Sequence, residues 1–255
     1  MVHGSRQATA ICYGFVCHAG FAVGVGAMVT MMYYGMSGSL GRIEPPWRWV
    51  ANGILLLQFP VVHSLLLTDR GRALLRRLAP AGYGGRLVTT TYVILSSVSV
   101  FALFALWSPT GIVWWRAQGV ALALMTALYG CAWLLVVKAI TDAGFALQTG
   151  HLGWWALLND RKPVYPPMPE GGLFRYSRQP IYVAFTLTVW TTPTWTPDQL
   201  VVATVLTCYC LFGPLLKEGR FRRAYGTAFD RYLERVPYWL PWPRSAARSP
   251  GDIRR

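Results

Sequence analysis

Two short polar stretches carry the residue types that could do chemistry. The first runs Gly171-Gly172-Leu173-Phe174-Arg175-Tyr176-Ser177-Arg178-Gln179-Pro180-Ile181-Tyr182. The second runs Lys217-Glu218-Gly219-Arg220-Phe221-Arg222-Arg223-Ala224-Tyr225-Gly226. Arg175, Arg178, Arg222 and Arg223 supply planar, permanently charged forks of the kind that hold a carboxylate or a phosphate. Glu218 is the lone acid among them and can accept hydrogen bonds from a ribose or an amine. The competing reading makes these arginines anchors at a membrane surface, with Glu218 paired to one of them.

Other chemistries find little support. No group of His, Cys, Asp or Glu has metal-ligand spacing, so no metal is expected. Gly-x-Ser-x-Gly, phosphate-loop and dinucleotide-binding motifs are missing. His18 and His63 invite a haem reading, but one pair without partners in other spans gives it little ground. Gln58 and His63 are expected to satisfy each other or to line a contact between helices. The apolar spans lack Asp and Glu and Lys138 lies near an end, which speaks against ion-coupled transport. Cys12, Cys17, Cys131, Cys208 and Cys210 all fall in apolar segments without CxxC or CxxH spacing and read as small hydrophobes.

The elements that must position the polar stretches are membrane helices. The chain of 255 residues is 54% apolar and 13% charged, about half the charged share of a soluble domain. Mean hydropathy is +0.35. Stretches long enough for a bilayer, about 20 residues each, run Ile11 to Met36, Trp47 to Thr68, Leu87 to Trp107, Ala117 to Ile140 and Leu200 to Leu216. A shorter one, Ile181 to Thr192, lies between Pro180 and Pro193 and forms a tilted span or one arm of a hairpin. The expected fold is all-α: a polytopic bundle of about five to six transmembrane helices. The first stretch is too long for a signal-peptide core.

Net charge is +14, and its placement matters more than its size. Arg70, Arg72, Arg76, Arg77 and Arg86 fall in one loop, Arg161, Lys162, Arg175 and Arg178 in the next but one. Lys217, Arg220, Arg222, Arg223, Arg231 and Arg235 follow the last span. The intervening loops carry little more than Arg42 and Arg116. This alternation points to anionic lipid as the partner rather than nucleic acid, and puts both termini in the cytoplasm. After Leu216, Phe221, Tyr225, Phe229, Tyr232 and Leu233 recur at helical spacing, which predicts an amphipathic helix on the cytoplasmic side. Pro237, Pro241 and Pro243, with Trp239 and Trp242, are expected to end it. Residues 1–243 read as one membrane domain and residues 244–255 as a disordered tail.

The polar stretches resemble the isoprenylcysteine carboxyl methyltransferase superfamily. Its pattern of Arg-His-Pro-x-Tyr-x-Gly, a helical hairpin, Glu-Glu, Phe-Gly-x-x-Tyr and Val-Pro is met here by Arg178-Gln179-Pro180-Ile181-Tyr182-Val183-Ala184, Lys217-Glu218, Tyr225-Gly226, Phe229, Tyr232 and Val236-Pro237. Val62-His63-Ser64-Leu65, Thr90-Thr91-Tyr92-Val93-Ile94-Leu95 and Trp190-Thr191-Thr192-Pro193-Thr194-Trp195-Thr196 resemble the methanethiol S-methyltransferase branch, itself similar to NnrU proteins. Departures from the pattern include Gln179 for His, Lys217 for the first Glu and Ala184 for Gly.

The resemblance implies a membrane methyltransferase of the bacterial inner membrane. It would use S-adenosylmethionine held at the cytoplasmic side and act on a small or lipophilic acceptor, most plausibly a thiol. Carried over by position, Arg178, Gln179, Tyr182 and Glu218 would contact the cofactor, with Arg175, Arg222 and Arg223 assisting and Arg178 and Glu218 nearest the chemistry. A non-catalytic membrane scaffold and a reductase using a nicotinamide cofactor are the alternatives. The oligomeric state is left open.

Overall fold

A bilayer offers no partners to backbone groups, so an apolar chain crossing it must close its hydrogen bonds within helices. The computed structural model describes residues 2–240, residues 2–4 by their backbone alone. Pro241, Trp242, Pro243 and the tail expected at 244–255 lie outside the described residues. In chain order the helices are α1 (Val2–Tyr33), α2 (Trp47–Leu66), α3 (Asp69–Leu78), α4 (Gly84–Ala105) and α5 (Gly119–Asp142), then α6 (Phe145–Gln148), α7 (His151–Leu158), α8 (Pro180–Trp190), α9 (Pro197–Tyr225) and α10 (Thr227–Arg235).

Helices α1, α2, α4, α5 and α9 are long and apolar enough to cross a membrane. The chain is an integral membrane protein with an all-α bundle. Phe15, Val120, Leu134 and Phe212 are exposed on its sides, where hydrocarbon rather than water is their natural solvent. Helix α1 packs along α4, and α8 packs against both α5 and α9. The α1–α4 approach is close: a Cβ added at Gly24 would lie 2.7 Å from the Ser97 carbonyl oxygen. Small residues permit such backbone proximity where the bilayer gives helices no hydrophobic reason to associate. The main core gathers Met28, Met32, Leu103, Phe104, Val202 and Leu206.

The short stretch after Pro180 is the 11-residue helix α8, about 16 Å long at 1.5 Å per residue. That is half a hydrocarbon core, so α8 pairs with α9 as the short arm of a hairpin. The turn between them holds Thr194–Trp195, which pairs antiparallel with Trp115–Arg116. Asp198 closes this end of the bundle by accepting from Trp107 Nε1 at 3.0 Å and from the Thr110 N–H at 2.9 Å.

Two differences from the sequence reading stand out at the arginine-rich end. The amphipathic helix expected directly after Leu216 does not start there, because α9 continues unbroken to Tyr225. It stops at Gly226, whose φ of 52° and ψ of −128° fall in a region essentially reserved for glycine. The amphipathic piece is the separate helix α10. The loop between α2 and α4 also contains a helix, α3, whose first turn is capped by the Thr68 hydroxyl accepting from Gly71 N at 3.1 Å.

Candidate functional site

The first polar stretch enters the arginine-rich end as a 3-10 turn, Gly172–Arg175. Asp142, at the end of α5, receives the Leu173 N–H at 2.8 Å and also pairs with Lys138. The turn buries Phe174, whose carbonyl accepts the Tyr232 hydroxyl at 2.8 Å. Met168, Phe229, Tyr232 and Val236 pack into a small core beneath α10. Burial raises the Tyr232 phenol well above its ordinary value, so it stays a donor.

Pro180 then occupies the first turn of α8, where its missing N–H costs nothing. Arg178 and Gln179, just before it, are thereby aimed across at α9. Arg178 Nε donates to Glu218 Oε1 at 2.8 Å, and both side chains are largely buried, 12% and 16% exposed. Arg178 Nη1 donates to the Val236 carbonyl at 2.9 Å, and the Arg178 N–H to the Pro237 carbonyl at 3.0 Å. One arginine thus fastens the start of α8, the middle of α9 and the segment after α10.

Gln179 completes the group. Its Nε2 donates to Glu218 Oε1 at 2.8 Å and its Oε1 accepts from Lys217 Nζ at 3.2 Å. A flipped amide would oppose two donors and two acceptors, so these neighbours fix its orientation. Lys217 also lies 5.4 Å from the Phe174 ring and 5.2 Å from the Phe221 ring, within cation–π range.

The last segment seats on a kink. Pro214 inside α9 cannot donate to the Cys210 carbonyl four residues back. That carbonyl accepts Trp239 Nε1 at 3.3 Å, and the neighbouring Leu211 carbonyl accepts the Tyr238 hydroxyl at 2.6 Å. The Tyr238 ring in turn sits 5.5 Å from the Arg178 guanidinium. Burial and the nearby Glu218 carboxylate raise the Tyr238 phenol.

Of the residues expected at the site, the structure brings together Arg178, Gln179 and Glu218. Tyr182 stands one turn further along α8, its ring 6.4 Å from Tyr209. The others are not in the group. Arg175 and Arg223 are exposed, and Arg222 turns away to pair with Asp230 at 3.1 Å.

A second polar cluster lies beside Tyr182, and sequence reading missed it. His63 Nε2 and Tyr92 Oη are 2.6 Å apart. Gln58, expected as the partner of His63, instead donates to the Ser99 carbonyl at 2.8 Å. From position 58 to 63 is five residues, about 140° round a helix, so the two side chains cannot face one another. The Phe59 ring bridges His63 and Tyr209 at 5.3 and 6.1 Å. Ser64 lies beside Tyr209, and the Arg220 charge acts on His63, Tyr92, Tyr182 and Tyr209. The hints in the sequence were the Val62-His63-Ser64-Leu65 and Thr90-Thr91-Tyr92-Val93-Ile94-Leu95 elements. His18 has no part in this cluster; its Nε2 accepts from Trp154 Nε1 at 3.0 Å.

With this geometry in hand, comparison with known proteins is direct. The methanethiol S-methyltransferase of Pseudomonas deceptionensis is 29% identical over 208 residues, covering 81% of this chain and 77% of that protein. Methanethiol S-methyltransferase 1 of Bradyrhizobium diazoefficiens is 26% identical over 204 residues, 77% of this chain and 68% of that one. The chain is similar to the methanethiol S-methyltransferases. It is also 29% identical over 164 residues to Nurim of Sus scrofa, 61% of each chain. No family model matches the chain. No solved structure matches it either. Within this chain, Arg178 joins the hairpin to the segment after α10 by bonding both Glu218 and Val236.

Proposed function

We propose that the protein is a membrane methyltransferase that takes the methyl group of S-adenosylmethionine and places it on the sulfur of a small thiol. The observation carrying this reading is the convergence of Arg178, Gln179, Lys217 and Glu218 at one mouth between α8 and α9. The names of the relatives support methyl transfer, and favour it over a scaffold or a nicotinamide-dependent reductase.

The residues at the mouth suit such a donor. Both bonds to Glu218 fall on Oε1, which among the described residues leaves Oε2 to accept from ribose hydroxyls or an ammonium group. Lys217 and Arg178 offer positive charge to a carboxylate, and Phe221 and Tyr238, which are only partly buried, offer ring faces to a base. Arg175, Arg222 and Arg223 lie further out and would guide anionic groups toward the mouth. When bound, the donor supplies an electrophilic methyl carbon on a sulfonium. What remains for the protein is mainly orientation, since holding two reactants in line supplies much of the acceleration in a displacement.

We place the arginine-rich end in the cytoplasm of a bacterial cell, with the protein in the inner membrane and both termini on that side. The distribution of Arg and Lys supports this. A polar donor then arrives from water, while an apolar thiol arrives through the bilayer.

The test is purified protein in detergent with S-adenosylmethionine and methanethiol, monitored for dimethyl sulfide, beside calorimetric binding of S-adenosylhomocysteine. Product with wild type and none with Glu218→Ala supports the reading. Neither product nor nucleoside binding would end it.

A further inference from the structure

We propose that His63 accepts the proton of the acceptor thiol, and that the acceptor sits among His63, Tyr92, Tyr182 and Tyr209. This rests on the thiol methyltransferase reading above. The four residues come from four different helices, and Tyr209 shares α9 with Glu218. Tyr209 and Arg220 are eleven residues apart, about three turns, so both lie on one face of α9. Tyr182 is one turn from Gln179 on α8. Arg220 also acts on Lys217, and Tyr238, whose ring lies 5.5 Å from the Arg178 guanidinium, acts on Tyr182. Through these neighbours the cluster adjoins the Glu218 group, where an apolar acceptor and a polar donor can meet.

A thiol must lose its proton to become a strong nucleophile. The groups at the mouth are poor candidates for taking it. Glu218 is occupied by Arg178 and Gln179, and Lys217 by Gln179. His63 differs. Its Nε2 is held by Tyr92, while its Nδ1 is buried and bonds nothing among the described residues. A buried ring nitrogen without a partner is unfavourable, so it calls for a bonding group at that position. With Nε2–H donated to Tyr92 Oη, Nδ1 carries the lone pair that an S–H group needs.

The step balances as follows. The thiol S–H bond breaks and its proton joins His63 Nδ1. The sulfur forms its bond to the methyl carbon, and the electron pair of the broken sulfonium bond stays on the departing thioether. The Nδ1 proton then leaves to water at the mouth. Among the described residues, Tyr92 from α4 bonds the ring and Arg220 from α9 acts on it, while Tyr182 from α8 and Tyr209 and Cys210 from α9 lie next to Tyr92 or to one another. Arg220 adds positive charge where a thiolate forms.

The experiment uses the full chain in lipid nanodiscs, as wild type, His63→Gln and Tyr92→Phe. Three quantities are read: S-adenosylhomocysteine binding, transfer to methanethiol from pH 6 to pH 10, and the His63 nitrogen resonances on adding methanethiol alone. His63→Gln is expected to bind the nucleoside within about twofold of wild type, yet to turn over at least about 100-fold more slowly at pH 7. That deficit should shrink as pH rises and the thiol ionises unaided. Tyr92→Phe, which frees the ring without removing it, should lower turnover about tenfold. Methanethiol alone should shift the wild-type Nδ1 resonance. Unchanged turnover in His63→Gln, a deficit constant with pH, or an unmoved Nδ1 resonance would each overturn the assignment while wild-type transfer stands. If His63→Gln does not fold, wild-type turnover in Tyr92→Phe or an unmoved wild-type resonance overturns it just as well. A wild type that neither transfers nor binds the nucleoside would remove the function itself.

Discussion

Arg178 Nε and Glu218 Oε1 are 2.8 Å apart, though 40 positions apart in the chain, and their side chains are only 12% and 16% exposed. This pair joins the entrance of α8 to the far part of α9, and it is the junction on which the mouth depends. Breaking a largely buried ion pair by removing one partner leaves an uncompensated charge and costs about 3 kcal/mol or more. Glu218→Ala should therefore lower the thermal midpoint in detergent markedly. The double variant Arg178→Met with Glu218→Leu should recover much of the loss, because no charge is then stranded. A double-mutant cycle reads the coupling directly, and additive losses would mean the two side chains act separately.

Gln179 and Lys217 depart together from the family pattern, and they bond one another at 3.2 Å. Lys217→Glu alone sets a carboxylate against the Gln179 oxygen and should weaken S-adenosylhomocysteine binding by about tenfold, the value of 1.4 kcal/mol. Adding Gln179→His should restore it, since an imidazolium donates from both nitrogens to two carboxylates. Gln179→His by itself should stay within about threefold of wild type, because a neutral imidazole can accept from Lys217 and donate to Glu218. Titration calorimetry decides, and a double variant no better than Lys217→Glu would show the two sites to be independent.

Trp239 Nε1 bonds the Cys210 carbonyl that Pro214 leaves without a helical donor. Trp239→Phe keeps the ring but strands that carbonyl, at a cost of about 1–3 kcal/mol. Limited proteolysis should then cut the segment after α10 sooner. Pro214→Ala in the same background should restore part of the lost stability by supplying the missing N–H; no gain would argue against this account of the kink.

Asp160 is bound by Arg6 at 2.6 Å and by Arg86 at 2.8 Å. The hydrogen bond from Arg86, with the charges of both arginines, holds its carboxyl below the ordinary carboxylate value. A depressed folded value gives stability that is present above the unfolded value of about 3.9 and is lost as pH falls through the folded one. Wild type should exceed Asp160→Asn in thermal midpoint at pH 7, with the gap closing as pH falls below the ordinary carboxylate range. A gap independent of pH would rule out the charge as its source.

Much of the mouth was legible because its signals are local. Arg178-Gln179-Pro180 announces a helix entrance, since proline tolerates only the first turn, and Glu218 is the lone acid in a basic stretch. Arg222 and Arg223 misled because composition carries no phase. With α9 helical through Tyr225, Arg223 sits about 140° round the axis from Glu218, and Arg222 finds Asp230 eight residues on. Cluster residue His63 was illegible for another reason. Its meaning depends on Tyr92, 29 residues away on another helix, and a lone histidine in an apolar run reads only as packing.

The order of the membrane helices, and the sorting of arginine to one end, were determined by the sequence alone. Hydropathy and charge act residue by residue against the bilayer, so they survive without knowledge of neighbours. Which polar side chains meet was decided only by the tertiary structure. The rotation of each helix about its axis, the glycine break after Tyr225 and the proline kink in α9 set those meetings, and all three depend on how the helices pack.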